Sequence, residues 1–230
     1  MLFLRQLLTK PNVVALTSGL IFPLAIAPFF LWPLAILSLL GLLYSLQNST
    51  AKQAAFRTWI FGFAKFSVGV SWIYVSMHDH GGTPAILAIF MVGLFAAFLG
   101  IVPALFMYVF QRLYNARQTQ TLIRILAFAS FWFLYEWCRS WIFTGFPWLF
   151  AGDAHLHTWL NGWAPILSVY GLSFFTALTS ATIYFSMRDK RPQYLIALVV
   201  WPIGLALQGI EWTAQTGELK VSAVQGHIAQ

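Results

Sequence analysis

The sequence predicts an all-α integral membrane protein of about seven transmembrane helices, with its N-terminus in the cytoplasm. Three observations lead there. Hydrophobic residues make up 60% of the 230 and charged ones only 8%, against roughly 25% charged in a soluble domain. The apolar segments run on without period-two alternation, and in lipid such a chain satisfies its backbone only as helix. The basic residues fall in short stretches between those segments, as topology-setting charges do. The net charge of +7 is therefore read as a membrane signal, and nucleic acid is excluded as a partner. The single cysteine, Cys138, excludes an internal disulfide and a cysteine-based metal cluster.

The elements follow in order. Arg5 and Lys10 precede the first apolar run. Ala25-Ile26-Ala27 has the look of a signal-peptide cleavage site. Pro28 follows it directly and a second apolar run begins within a few residues, so a retained span is preferred. Residues 11–51 hold no charge at all. At about 20 residues per span this is two helices, with Pro28-Phe29-Phe30-Leu31-Trp32-Pro33 as the turn between them. Further spans are expected at 58–77, 85–110, 125–143, 162–187 and 192–210.

Ten of the thirteen Lys and Arg residues lie on one side by loop parity: Arg5, Lys10, Lys52, Arg57, Arg112, Arg117, Arg124, Arg188, Lys190 and Arg191. That side is the cytoplasm. The loops at 28–33, 78–84 and 139–161 then face outward with the tail, and they hold most of the His, Trp, Gly and Pro outside the spans. Trp72, Tyr74, Trp141, Trp148, Trp159 and Trp163 fall near that outer boundary as an aromatic belt.

The most informative stretch is Glu136 to Leu149, EWCRSWIFTGFPWL. It joins an acid, a base and three tryptophans to a helix-breaking Gly-Phe-Pro. An ionised residue near hydrocarbon is costly, so it has a partner or a job. Glu136 and Arg139, at i and i+3, share a helix face. They read either as an ion pair closing the helix, or as a polar rim receiving a lipid headgroup, with Arg139 near its phosphate. Lys65 lies about 12 Å into its span at 1.5 Å per residue. Snorkelling to the cytoplasmic surface is the expected outcome, and a buried Lys65–Glu136 pair is the alternative. Cys138 is read as a packing residue. His78, Asp79 and His80, with His155 and His157 in another outer loop, raise a metal site; their spacing is poor for one, and an interfacial loop turning at Gly81-Gly82 is preferred. No metal and no cofactor are expected.

After Glu218 the tail alternates, with Leu219, Val221 and Ala223 on one side, as a short strand does. Such a strand needs a partner.

Five segments together resemble the membrane half of bacterial apolipoprotein N-acyltransferase. They are Ala27-Pro28-Phe29-Phe30-Leu31-Trp32-Pro33-Leu34; Ser71-Trp72-Ile73-Tyr74-Val75-Ser76 with Gly81-Gly82-Thr83-Pro84; Glu136 and Arg139 through Thr144-Gly145-Phe146-Pro147-Trp148-Leu149; Ala164-Pro165-Ile166 with Gly171; and Val221-Ser222-Ala223-Val224-Gln225-Gly226. The resemblance implies eight membrane helices with a periplasmic nitrilase-like domain inserted before the last. It implies a Glu-Lys-Cys set that moves an acyl chain from a phospholipid, through a thioester, to the α-amino group of a lipoprotein's N-terminal diacylglyceryl-cysteine. Membrane lipids, the phospholipid donor and the apolipoprotein acceptor are the implied partners, in the bacterial inner membrane.

By the same resemblance, residues 1–210 are the transmembrane domain, and 211–230 are a linker plus the first strand of the nitrilase-like domain. The catalytic set is expected beyond Gln230, so none is assigned here and this chain is expected to be inactive. The candidate lipid rim is Glu136, Arg139, Trp141, Pro147, Trp148, Trp72, Tyr74, Gly81 and Gly82. A transporter or channel is the competing reading, from the number of spans and the charges within them. It lacks the internal repeat with matched helix breaks that such proteins carry.

Overall fold

The structure, a computed structural model, describes residues 10–114 and 119–225. Arg5, Arg117, Gly226, His227 and Gln230, which figured in the charge count or the tail, lie outside the described residues.

Each apolar segment expected as a span is helical. The helices are α1 (Lys10–Ile21), α2 (Pro33–Leu46), α3 (Ala51–Gly69), α4 (Trp72–Val75), α5 (Ala85–Leu113), α6 (Thr121–Arg139), α7 (Ala164–Asp189) and α8 (Val200–Leu207), with short 3-10 and π turns between them. Among the described residues there is no strand. Among the described residues three runs are long and apolar enough to cross a membrane: α5, α6 and the helical run Trp159–Asp189. A fourth is added if α3 and the Trp72–His80 segment, bent by 49° at their junction, count as one span. α2 and the run Pro192–Leu207 are shorter apolar helices.

Local chemistry sets these ends. Thr50 and Gln53 close a capping box at the start of α3: Gln53 N–H donates to Thr50 Oγ1 at 3.3 Å and Thr50 N–H donates to Gln53 Oε1 at 3.0 Å. Proline occupies the first turn of α2 and α7, where a missing N–H costs nothing. Lys190, in the left-handed region at φ 54°, stops α7.

α5 is the outermost long helix. Its 29 residues reach about 43 Å, and Ile86, Ile89, Phe90, Leu94 and Leu105 point away from the bundle as a lipid-facing surface requires. Its inner face packs against α3, where Gly62 lies against the Gly100 backbone. Small residues at such crossings let backbones approach without a side chain between them. Buried hydroxyls and amides tie the helices. Ser38 Oγ donates to Ser18 O (2.6 Å), Ser180 Oγ to Ile36 O (3.1 Å), Gln111 Nε2 to Ser49 O (2.9 Å) and Trp59 Nε1 to Ala97 O (3.0 Å).

Several boundaries differ from the sequence reading. The third span, expected at 58–77, begins at Ala51 and breaks after Gly69, where the missing side chain leaves room for that of Leu149. The fifth, expected to run to 143, ends at Arg139, whose backbone carbonyl accepts the Phe146 N–H at 2.9 Å. The expected strand is not formed. Residues 211–225 are irregular, with Leu219, Val221 and Val224 more than three-quarters exposed and no neighbouring strand to pair with.

Candidate functional site

At one end of the bundle a group of buried charges lies under an aromatic loop. Glu136, 0% exposed, is in the last turn of α6. Its Oε1 accepts the Trp132 indole N–H and the Ala151 backbone N–H, each at 3.0 Å, and Oε2 lies 3.2 Å from the same Ala151 N. Lys65 comes from α3, also fully buried, with Nζ 3.9 Å from Glu136 Oε1 and 3.9 Å from the Phe22 ring centroid. The expected snorkelling is thus overturned. Lys65 is too deep among Phe22, Phe66, Trp132 and Tyr135 for its stem to reach a surface, and it meets a carboxylate and aromatic faces instead.

Arg139 does a different job from the one expected. Glu136 takes its ion pair from Lys65 and not from Arg139. The Arg139 guanidinium, 2% exposed, reaches under the loop that follows α6. Nη1 donates to Phe146 O (2.5 Å) and to Trp148 O (2.7 Å), and the group lies over the Phe150 ring at 4.6 Å. Both bonds leave one nitrogen of the planar guanidinium, whose N–H directions are fixed while its face lies on Phe150, an arrangement that a compact ammonium lacks. The loop thus hangs from two charges: Arg139 holds its middle at Phe146 and Trp148, and Glu136 its end at Ala151. Gly145, at φ 84°, makes the reversal just before Phe146, and a Cβ there would collide with the Ser140 carbonyl.

Asp153 continues the arrangement. Its Oδ2 accepts the Phe150 N–H at 2.9 Å. Burial, and the Glu136 carboxylate near it, push Asp153 up to about 6, against the pull of the Phe150 hydrogen bond and the Lys65 and Arg139 cations. His155, fully buried between Trp32 and Trp201, is pushed down to about 4 by its burial and is neutral.

The outer residues of the predicted rim are brought together in part. Trp148 is half-exposed and its ring lies 5.8 Å from that of Trp72 across the gap between the loop and α4. Tyr74 packs with Phe146 and Leu149 in the same apolar cluster. Pro147 is exposed beside Trp148. Gly81 and Gly82 close the π turn Ser76–His80, Gly82 at φ 65°, without touching the loop. Trp141 stands apart, stacked edge-on against Trp137 at 5.4 Å. Glu136 and Arg139 are buried beneath this rim rather than on it.

The histidines do not gather: His78 lies on Tyr74, His155 on Trp32, and His157 on Phe30. No group of three His, Cys, Asp or Glu suited to a metal occurs among the described residues. Sequence reasoning missed Trp132, Tyr135 and Asp153. The i, i+4 spacing of Trp132 and Glu136 was the available signal.

Fold and site together define a polytopic helical membrane protein whose one end presents an aromatic loop fixed by a buried ionic frame. Residues 18–182 match the apolipoprotein N-acyltransferase N-terminal domain. Curated relatives of that name are similar over almost the whole chain. The protein of Azotobacter vinelandii is 42% identical over 97% of this chain and 45% of its own length, and that of Pseudomonas putida 41% over 97% and 46%. The protein of Coxiella burnetii is 37% identical over 95% and 46%. The chain belongs to the apolipoprotein N-acyltransferase family, and it spans just under half the length of these relatives.

Proposed function

We propose that this chain is the membrane part of a phospholipid:apolipoprotein N-acyltransferase. In this reading an acyl chain passes from a phospholipid to a cysteine thiolate, and then to the α-amino group of a diacylglyceryl-cysteine. Splitting one hard transfer into two through a thioester is what a thiolate nucleophile is suited to. The Glu-Lys-Cys chemistry belongs to a nitrilase-like domain, and residues 1–230 alone transfer no acyl group. Residues 1–210 supply the lipid platform, with seven spans, a cytoplasmic N-terminus and an inner-membrane location. Residues 211–230 lead into the periplasmic domain. The Lys and Arg asymmetry supports that orientation.

The observation that carries the reading is the loop held by Arg139 and Glu136, which presents Trp148 and Pro147 toward Trp72 at a bundle end. Trp72, Tyr74, Pro147 and Trp148 form the rim that admits the lipid substrate, and Gly81, Gly82 and Trp141 flank it. Glu136 and Arg139 act by fixing it. Arg139 is 2% exposed beneath the loop, with its Nη1 on two loop carbonyls, and in this reading it positions the loop and does not bind the donor phosphate.

The test is photo-crosslinking with a phosphatidylethanolamine that carries a photoreactive acyl chain. Label is expected in the peptides containing Trp72–Gly82 and Ser140–Leu149, displaced by unlabelled lipid. Label spread evenly over the lipid-facing side of α5 refutes the rim. Acyl transfer by the purified chain refutes its assignment as platform alone, and a cytosolic reporter fused after Gln230 refutes the orientation.

A further inference from the structure

The opposite end of the bundle holds a second cluster, which the acyl-transfer reading does not use. Arg124 is in the first turn of α6, fifteen residues before Arg139, or about 22 Å along the helix at 1.5 Å per residue. It is 5% exposed, yet its Nε and Nη1 have no hydrogen-bond partner among the described residues. No carboxylate is paired with it there either. A buried guanidinium in that state is costly unless something anionic reaches it.

The surroundings fit such a ligand. Arg124 opens onto a cavity of about 260 Å³ also lined by Asn48, Phe110, Tyr184, Phe185 and Arg188. Arg124 and Arg188 lie over the same Phe185 ring, at 5.1 and 4.5 Å. The Tyr184 hydroxyl, in a residue 8% exposed, also lacks a partner. Asp189 balances Arg188, accepting from its Nε at 2.6 Å and its Nη2 at 3.1 Å, and also accepts from Thr121 Oγ1 at 2.7 Å. One positive charge, that of Arg124, is left over. Two guanidinium groups and a hydroxyl converging on one cavity make a phosphate site.

The walls say which phosphate. Arg188 also borders a larger crevice of about 770 Å³, flanked by Leu122 and by Ile196, which is 80% exposed. Apolar side chains left bare beside a cationic pocket at a bundle end suit a headgroup whose tails lie along them. A free anion gains nothing from them. We infer that Arg124, Arg188 and Tyr184 bind the phosphodiester of an anionic phospholipid, in the leaflet opposite the Trp72–Trp148 rim.

The experiment uses the full chain, delipidated in detergent, with thermal unfolding followed as phosphatidylglycerol, phosphatidylcholine or inorganic phosphate is added. Phosphatidylglycerol is expected to raise the midpoint well above the other two. Arg124→Gln is expected to weaken its half-saturating concentration about tenfold, as loss of charge-assisted hydrogen bonds does. Tyr184→Phe, which keeps shape and charge, is expected to weaken it about threefold and serves alone if Arg124→Gln does not fold. Unchanged phosphatidylglycerol response in Tyr184→Phe and in any folded Arg124→Gln overturns the site. An equal shift from inorganic phosphate, or from phosphatidylcholine, overturns the anionic-lipid assignment.

Discussion

Replacing Glu136 by Gln tests the ionic frame most directly. The amide keeps an oxygen for the Trp132 and Ala151 N–H groups but removes the negative charge 3.9 Å from Lys65 Nζ. Lys65 is then left fully buried against aromatic faces, with no carboxylate in ion-pair contact. Breaking a buried pair from one side costs about 3–5 kcal/mol. In a chain of this size each kcal/mol moves the midpoint by about 2–4 °C, so a fall of about 6–20 °C is expected. Membrane proteins often unfold irreversibly, so midpoints are compared at one scan rate, with the half-life at a fixed temperature as a second measure. The decisive variant is Lys65→Met with Glu136→Gln. Removing both charges leaves no stranded ion, and the double variant is expected to be more stable than Glu136→Gln alone. Additive losses, with the double variant the least stable of the three, would refute the pair as a coupled unit.

Arg139→Lys is expected to expose residues 141–151 to limited proteolysis while the rest of the bundle stays resistant, since an ammonium lacks the planar face on Phe150 and the fixed N–H directions that reach Phe146 O and Trp148 O; an unchanged cleavage pattern contradicts this. Gly145→Ala forces a side chain into a left-handed turn against the Ser140 carbonyl, and a loss of about 1–3 kcal/mol is expected, read as a lower midpoint. Asp153 has a folded pKa near 6 against an ordinary 3.8. The folded state therefore binds the proton more tightly, and the contribution of Asp153 to stability falls as pH rises from about 4 to 6. The midpoint of the native chain minus that of Asp153→Asn should then grow as pH is lowered through that window; a constant difference contradicts the raised pKa. His155 acts with the opposite sign. Its folded value near 4 means stability is lost as pH falls from about 6.5 to 4, and His155→Gln should flatten that loss in thermal scans.

The order and rough extent of the helices were legible in the sequence because their signal is local. Uncharged runs, prolines at turns and the grouping of basic residues follow from lipid solvation alone. The prominence of Glu136 and Arg139 was legible for the same reason: a charge beside hydrocarbon stands out whatever surrounds it. Their partners were not legible. Lys65 is 71 positions before Glu136 in the chain, and whether its flexible stem turns outward or inward depends on which helices crowd it. Sequence spacing offered Arg139 to Glu136, whereas tertiary packing gave Glu136 to Lys65 and Ala151 and sent Arg139 under the loop. The close approach of Leu149 to Gly69 was hidden for a similar reason, because the two are 80 residues apart in the chain. So was the pocket around Arg124, which the sequence shows only as one basic residue among several near a loop. Patterns of apolar and charged residues thus marked the helical segments and the residues that had to be accounted for. The contacts that account for them join distant parts of the chain, and only close packing of the helices decides those.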